Sequence, residues 1–185
     1  GKIYLMNFKG DVVIVDPDES VLKEYTQRRT DLRKSHRALS PLKNVIACTR
    51  DKHRIIIGAN IELPVEVSSV LAYGADEIGL FRTEFIYLNR EDLPSEEEQF
   101  RVYRHVVEKV KPCPVTIRTL DLGGDKFASA LNMPEEMNPF LGWRAIRFCL
   151  SQPDIFKAQL RAILRASAFG PVRIMYPLIS DVEEI

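Results

Sequence analysis

Two short apolar runs, each ending in arginine and threonine with an acid close behind, constrain this chain more than any other feature. The first is Glu77-Ile78-Gly79-Leu80-Phe81-Arg82, followed by Thr83-Glu84. The second is Val115-Thr116-Ile117-Arg118-Thr119-Leu120, followed by Asp121. Apolar runs of this length, bounded by turn signals, predict buried strands. An arginine at the end of such a strand is costly to desolvate unless an anion pairs with it. Two strands ending alike predict one anion site at the carboxyl ends of parallel strands, the edge where α/β proteins hold their ligands.

The segments around these runs repeat one order. Arg54–Ile61 reads as a strand of the near-continuous apolar kind found in parallel sheets. Pro64–Tyr73 reads as a helix stopped by Gly74, and Ser95-Glu96-Glu97-Glu98 as a capping box opening a helix that reaches about Val110. Pro153–Ala168 predicts another helix, Val172–Leu178 a fourth strand, and Ser180–Glu183 one more capping box. Alternating strands and helices predict a parallel sheet with helical crossovers. A full eight-stranded β/α barrel takes about 250 residues, and this chain has 185. The fold class expected is therefore α/β, a partial (β/α)8 (TIM-type) barrel of about four β/α units. Ahead of it, residues 1 to about 15 predict a hairpin turning at Asn7–Asp11. Asp16-Pro17-Asp18-Glu19 predicts a helix capped by Asp16, running to about Leu39 and ended by Ser40-Pro41. Its apolar stripe is thin, which suits a connecting helix better than a core one.

Composition excludes more than it selects. Lys+Arg and Asp+Glu number 26 each, so bulk charge gives no argument for nucleic acid or an anionic membrane surface. No apolar run approaches the ~20 residues of a membrane span, and the first residues lack a signal-peptide layout. Cys48, Cys113 and Cys149 are widely spaced and form no CxxC pair. They read as the thiols of a cytoplasmic protein rather than a zinc site or a disulfide framework.

Four bases fall near the expected sheet mouth: Arg82 and Arg118 at strand ends, Lys126 beyond the Gly123-Gly124 turn, and Arg144 after Asn138-Pro139-Phe140. A guanidinium fork matches carboxylate or phosphate oxygens two at a time, and lysine adds a point charge. A small dense anion carrying phosphate, carboxylate or both is the expected ligand. Glu84 and Asp121 either orient the arginines or serve as hard oxygen ligands, and orientation is the simpler role. His36 sits on a polar helix, where solvent exposure is expected, and His53 and His105 have no evident partner. Trp143 reads as core. No GxxxxGK[ST], GxSxG or HExxH motif is present.

Gly79–Phe85, Arg118–Lys126, Asn138–Arg147, Gln159–Ser167 and Arg173–Pro177 together resemble the phosphoenolpyruvate–protein phosphotransferases, enzyme I of the bacterial sugar phosphotransferase system. Phosphoenolpyruvate synthases and pyruvate phosphate dikinases share the Arg-Thr-Glu strand end and stand second. The resemblance implies a cytoplasmic, magnesium-dependent, dimeric enzyme that passes the phosphoryl group of phosphoenolpyruvate to a histidine and then to the phosphocarrier protein HPr. It implies that residues 1–16 end the swivelling phosphohistidine domain, 17–44 form a linker helix and 45–185 form the first half of the barrel. Arg82, Arg118, Lys126 and Arg144 resemble the bases that hold the substrate phosphate. The phosphohistidine motif is absent, and the acid cysteine and acidic magnesium ligands belong to the barrel half not present, so no catalytic or metal residue is expected here. The chain is expected to be inactive alone. The alternative is a non-catalytic assembly module built on the half barrel.

Overall fold

Short runs of Val, Ile, Leu and Phe set the strands of this chain, and capped segments with polar outer faces set the helices between them. The computed structural model describes residues 4–6, 12–14, 17–88, 90, 92–122 and 142–185. Its contacts divide the chain into two units, Gly1–Val45 and Ile46–Ile185.

In the first unit, β1 (Tyr4–Met6) pairs antiparallel with β2 (Val12–Ile14), Leu5 opposite Val13. The turn expected at Asn7–Asp11 lies outside the described residues. Helix α1 (Glu19–Leu39) begins two residues later than the sequence suggests. Asp18, not Asp16, is its cap, and its carboxylate accepts from the Val21 amide at 2.9 Å and the Ser20 hydroxyl at 2.6 Å. That leaves Pro17 outside the helix. No residue of α1 is buried, as its thin apolar stripe requires, and a 3-10 turn at Ser40–Asn44 follows it.

The second unit is built on four parallel strands, β3 (Gly58–Ile61), β4 (Glu77–Phe81), β5 (Val115–Arg118) and β6 (Val172–Met175), hydrogen-bonded in chain order. Between them run α2 (Val67–Tyr73), α3 (Glu96–Val110), α4 (Ile146–Ser151) and α5 (Pro153–Ala166). Parallel strands in sequential order place successive crossovers side by side. Accordingly α2 touches α3, and α3 packs along α5. This mixed α/β arrangement is compatible with part of a β/α barrel wall.

Helix ends follow the local chemistry. Ser95 caps α3 by accepting from the Glu98 amide, and the Ser95 amide donates in return to the Glu98 carboxylate at 2.8 Å. Gly74 ends α2 in the left-handed region, at φ 77°. The final capping box forms one residue later than read, between Asp181 and Glu184.

The core lies where the helices meet the sheet. Val115 and Ile117 of β5 are fully buried, whereas Thr116 and Arg118, on the opposite face, are only partly covered. Strand β4 breaks this alternation. A register shift after Ile78 leaves Gly79 as an extra residue, so Ile78 and Phe81, three apart, are both buried. At that bulge β3 and β4 approach closely, and a methyl group on Gly58 would stand 2.9 Å from the Gly79 Cα.

The strand expected from Arg54 forms only from Gly58. Arg54 makes an isolated antiparallel bridge with Cys48, and Ile55, Ile56 and Ile57 are 44%, 52% and 48% exposed rather than buried. The reason is pairing. Asp76 takes the Ile57 amide at 2.8 Å and the Arg54 guanidinium at 2.9 Å, and β3 is the edge of the described sheet. Gly58→Ala is expected to cost about 1–3 kcal/mol, because backbone rather than a flexible side chain must yield. A lowered denaturant midpoint at unchanged m-value would measure it.

Candidate functional site

The carboxyl ends of β3, β4 and β5 converge on one cleft of about 270 Å³, lined by Glu62, Arg82, Glu84, Phe85, Leu88 and Arg118. Each charged wall residue stands there because a strand has just ended. Glu62 follows Ile61, Arg82 follows Phe81, and Arg118 is the last residue of β5. Glu84 opens a 3-10 turn over Glu84–Ile86, which folds it back toward β5.

Arg118 is the most deeply held of the cations, its side chain 18% exposed. One terminal nitrogen donates to Glu84 at 2.7 Å, and the other reaches Asp121 at 3.1 Å. Its Nε is buried and finds no acceptor among the described residues. Asp121 also accepts from Arg144 Nη2 at 3.0 Å and Nε at 3.3 Å. Glu84, Arg118, Asp121 and Arg144 therefore form a chain of alternating charges. Two acids, one on each terminal nitrogen, clamp Arg118 in a single orientation. Arg82 differs. It is 41% exposed, lines the cleft and pairs with Glu62.

Three of the four bases read from the sequence are thus brought together. Lys126 lies outside the described residues. Glu84 and Asp121 bind arginines, which fits the orienting role. The described residues contain no cluster of three or more His, Cys, Asp or Glu fit for a metal ion, and the carboxylates nearest the cleft are already committed to guanidinium groups. His36 is exposed. His53 does have a neighbour, Asp51 at 3.5 Å. Trp143, read as core, is only partly buried and packs edge-on against core Phe148, ring centres 5.1 Å apart.

Several residues escaped the sequence reading. Glu62 is an acid after a strand, the same grammar that flagged Glu84. Beneath the cleft, joined to buried Thr83 of the first strand end, lie two buried glutamines, Gln99 and Gln159. Their signal was a glutamine on the apolar stripe of a helix. Gln99 shares the buried face of α3 with Phe100, Tyr103 and Val106, and Gln159 shares that of α5 with Ala162 and Ile163.

Residues 36–185 match the family described as PEP-utilising enzyme, PEP-binding domain. The chain belongs to this family. It is 48% identical over 175 residues to the phosphoenolpyruvate-protein phosphotransferase of Staphylococcus carnosus (strain TM300), covering 95% of the chain and 30% of that relative. The protein of the same name from Priestia megaterium is 48% identical over 172 residues, 93% of the chain and 30% of the relative. That from Bacillus subtilis (strain 168) is 45% identical over 175 residues, with 95% and 30% covered. The chain thus spans about 30% of the length of the curated relatives it matches. No helix of the described residues is long and apolar enough to cross a membrane.

The packing under this PEP-binding domain's cleft perturbs its buried acids. Cys149 is 1% exposed, and burial, reinforced by the nearby Asp121 charge, pushes its thiol up from 9.0 to about 12. Burial likewise raises the Tyr87 and Tyr103 hydroxyls. The folded chain keeps these protons where the unfolded chain releases them. The contribution of the Cys149 thiol to stability is therefore fully present below pH ~9 and is lost as pH rises from there toward about 12. Cys149 is expected to resist a thiol reagent at pH 8 until the chain unfolds, whereas exposed Cys48 reacts at once. Mass mapping of the labelled cysteines at rising denaturant checks this.

Proposed function

We propose that this chain supplies one wall of the phosphoenolpyruvate site in a phosphoenolpyruvate–protein phosphotransferase, the enzyme that moves the substrate's phosphoryl group to a protein histidine and leaves pyruvate. The observation that carries the reading is the convergence of Arg82 and Arg118 on one cleft at the carboxyl edge of the sheet. Phosphoryl transfer asks a protein mainly for positioning and for neutralising charge on the equatorial oxygens. Fixed guanidinium groups supply both.

In this reading Arg82 is the mobile cation that meets the incoming phosphate. Arg118 and Arg144 are held by Glu84 and Asp121 so that little reorganisation accompanies binding. The described cations and acids balance, three of each, so Lys126 would provide the net positive charge that draws the anion in. Magnesium is the expected divalent ion. We place its ligands outside the described residues and route no step through it. The partners we infer are phosphoenolpyruvate, the phosphocarrier protein HPr and a second copy of the enzyme, starting a sugar phosphotransferase relay in the cytoplasm. Residues 1–16 would close a phosphohistidine domain, 17–44 link it, and 45–185 form about four units of the barrel. The 185 residues alone would turn over no substrate. An assembly role is the second reading, favoured by exposed Ile55, Ile56 and Ile57 beside the sheet edge.

Calorimetric titration with phosphoenolpyruvate tests the first reading. Arg82→Ala is expected to weaken binding at least about tenfold without unfolding the chain, since this side chain is partly exposed. Arg118→Lys is expected to weaken it comparably, because a single ammonium cannot bridge both Glu84 and Asp121. Unchanged affinity in both variants would remove the cleft from consideration.

A further inference from the structure

Gln159 is buried in α5, 1% exposed, and all of its bonding capacity is directed at the underside of the cleft. Its amide oxygen accepts from the Leu120 backbone at 2.9 Å. Its nitrogen donates to the Thr83 hydroxyl at 3.1 Å and the Tyr103 hydroxyl at 3.2 Å. Thr83 passes its own hydrogen to the Arg118 carbonyl at 3.0 Å. Tyr103 donates to Gln99 at 3.2 Å, Tyr87 donates to the same oxygen at 2.9 Å, and the Gln99 nitrogen ends the chain on the Pro94 carbonyl at 3.2 Å.

The direction of every bond is fixed. A backbone N–H can only donate, so the Leu120 amide forces the oxygen of Gln159 toward β5 and its nitrogen toward the hydroxyls. A backbone carbonyl can only accept, so Pro94 sets Gln99 at the other end. Each member between has one consistent role, with no donor facing a donor. Such a fully satisfied buried network is rigid, and breaking one link leaves partners unpaired.

The anchored atoms lie next to the charges of the cleft. Thr83 sits between Arg82 and Glu84. Leu120 is two residues past Arg118 and immediately precedes Asp121, which holds both Arg118 and Arg144. Strands β4 and β5 are hydrogen-bonded only up to Phe81 and Ile117, and the extensions beyond have no shared ladder. We propose that Gln159 is a positioning residue that replaces that ladder, setting the spacing and orientation of the two arginine-bearing strand ends. This inference rests on the reading of those ends as an anion site. Gln159 does not itself line the cleft.

The decisive measurement needs no ligand. In the intact chain with 15N-labelled arginine, the Arg118 Nε–H signal, assigned by its loss in Arg118→Lys, reports the position of the guanidinium. Gln159→Met is expected to move that signal and to speed hydrogen exchange at the Leu120 amide at least about tenfold. Ile163→Ala, one turn along the same buried face, lowers stability but leaves the signal in place. Thr83→Val, a smaller lesion should Gln159→Met fail to fold, is expected to move the signal, and Thr83→Ser to restore it. A signal unmoved in Gln159→Met and Thr83→Val, or moved equally in Ile163→Ala, overturns the proposal. A phosphoenolpyruvate titration is the separate arm. Gln159→Met is expected to bind at least about tenfold more weakly and Ile163→Ala within about twofold of wild type, because small displacements of fixed charges are costly. No binding by wild type sinks the anion-site reading and leaves the positioning role to be decided by the Arg118 signal alone.

Discussion

A parallel sheet ends in backbone groups that no neighbouring strand can pair, and everything at the working edge of this chain depends on how those groups are satisfied. Buried amides and carbonyls left alone cost on the order of 1–3 kcal/mol each. Here one side chain from a crossover helix and one from the β4 strand end reach into the gap. Gln159 of α5 takes the Leu120 amide, and Thr83 takes the Arg118 carbonyl. The same two contacts that complete the hydrogen bonding also decide where the arginines stand. Structure and site are therefore one arrangement, with the helices setting the geometry of the strand ends.

The charges above this layer are arranged by the same economy. A guanidinium that is 18% exposed cannot stand without partners, and Glu84 and Asp121 supply them from either side. Arg144 shares Asp121 and brings a later segment of the chain to the same point. Among the described cations of the site, only Arg82 is left substantially in water. Two clamped arginines and one half-exposed one thus stand at the sheet edge, each paired with an acid. The Arg161 and Arg165 pairs with Glu96 and Glu97 also join helices across the unit, but they are solvent-exposed and contribute little to stability.

Much of this was legible in the residue order. Paired Arg-Thr strand ends pointed to bases meeting at one edge of the sheet, and β/α alternation pointed to parallel strands, because both signals are local and repeat. The failures have physical causes too. Ile55–Ile57 read as buried strand because an apolar run carries no information about whether a partner strand lies beside it. Asp16 read as the cap because two acids flank Pro17 and only folded geometry chooses between them. Gln99 and Gln159 were passed over because a glutamine on an apolar stripe looks like noise until its three partners, up to 76 positions away along the chain, are in place.

The sequence by itself determined the α/β alternation and the strands that end in arginine, and it raised the expectation that such ends suit an anion. These follow from hydrophobic period, turn chemistry and the cost of burying a guanidinium. Tertiary structure alone decided which acid clamps which base, which cation stays open, and which buried amides hold the strand ends apart. Those are contacts between distant segments, fixed by packing and by the cost of leaving buried donors without acceptors, and no local pattern encodes them.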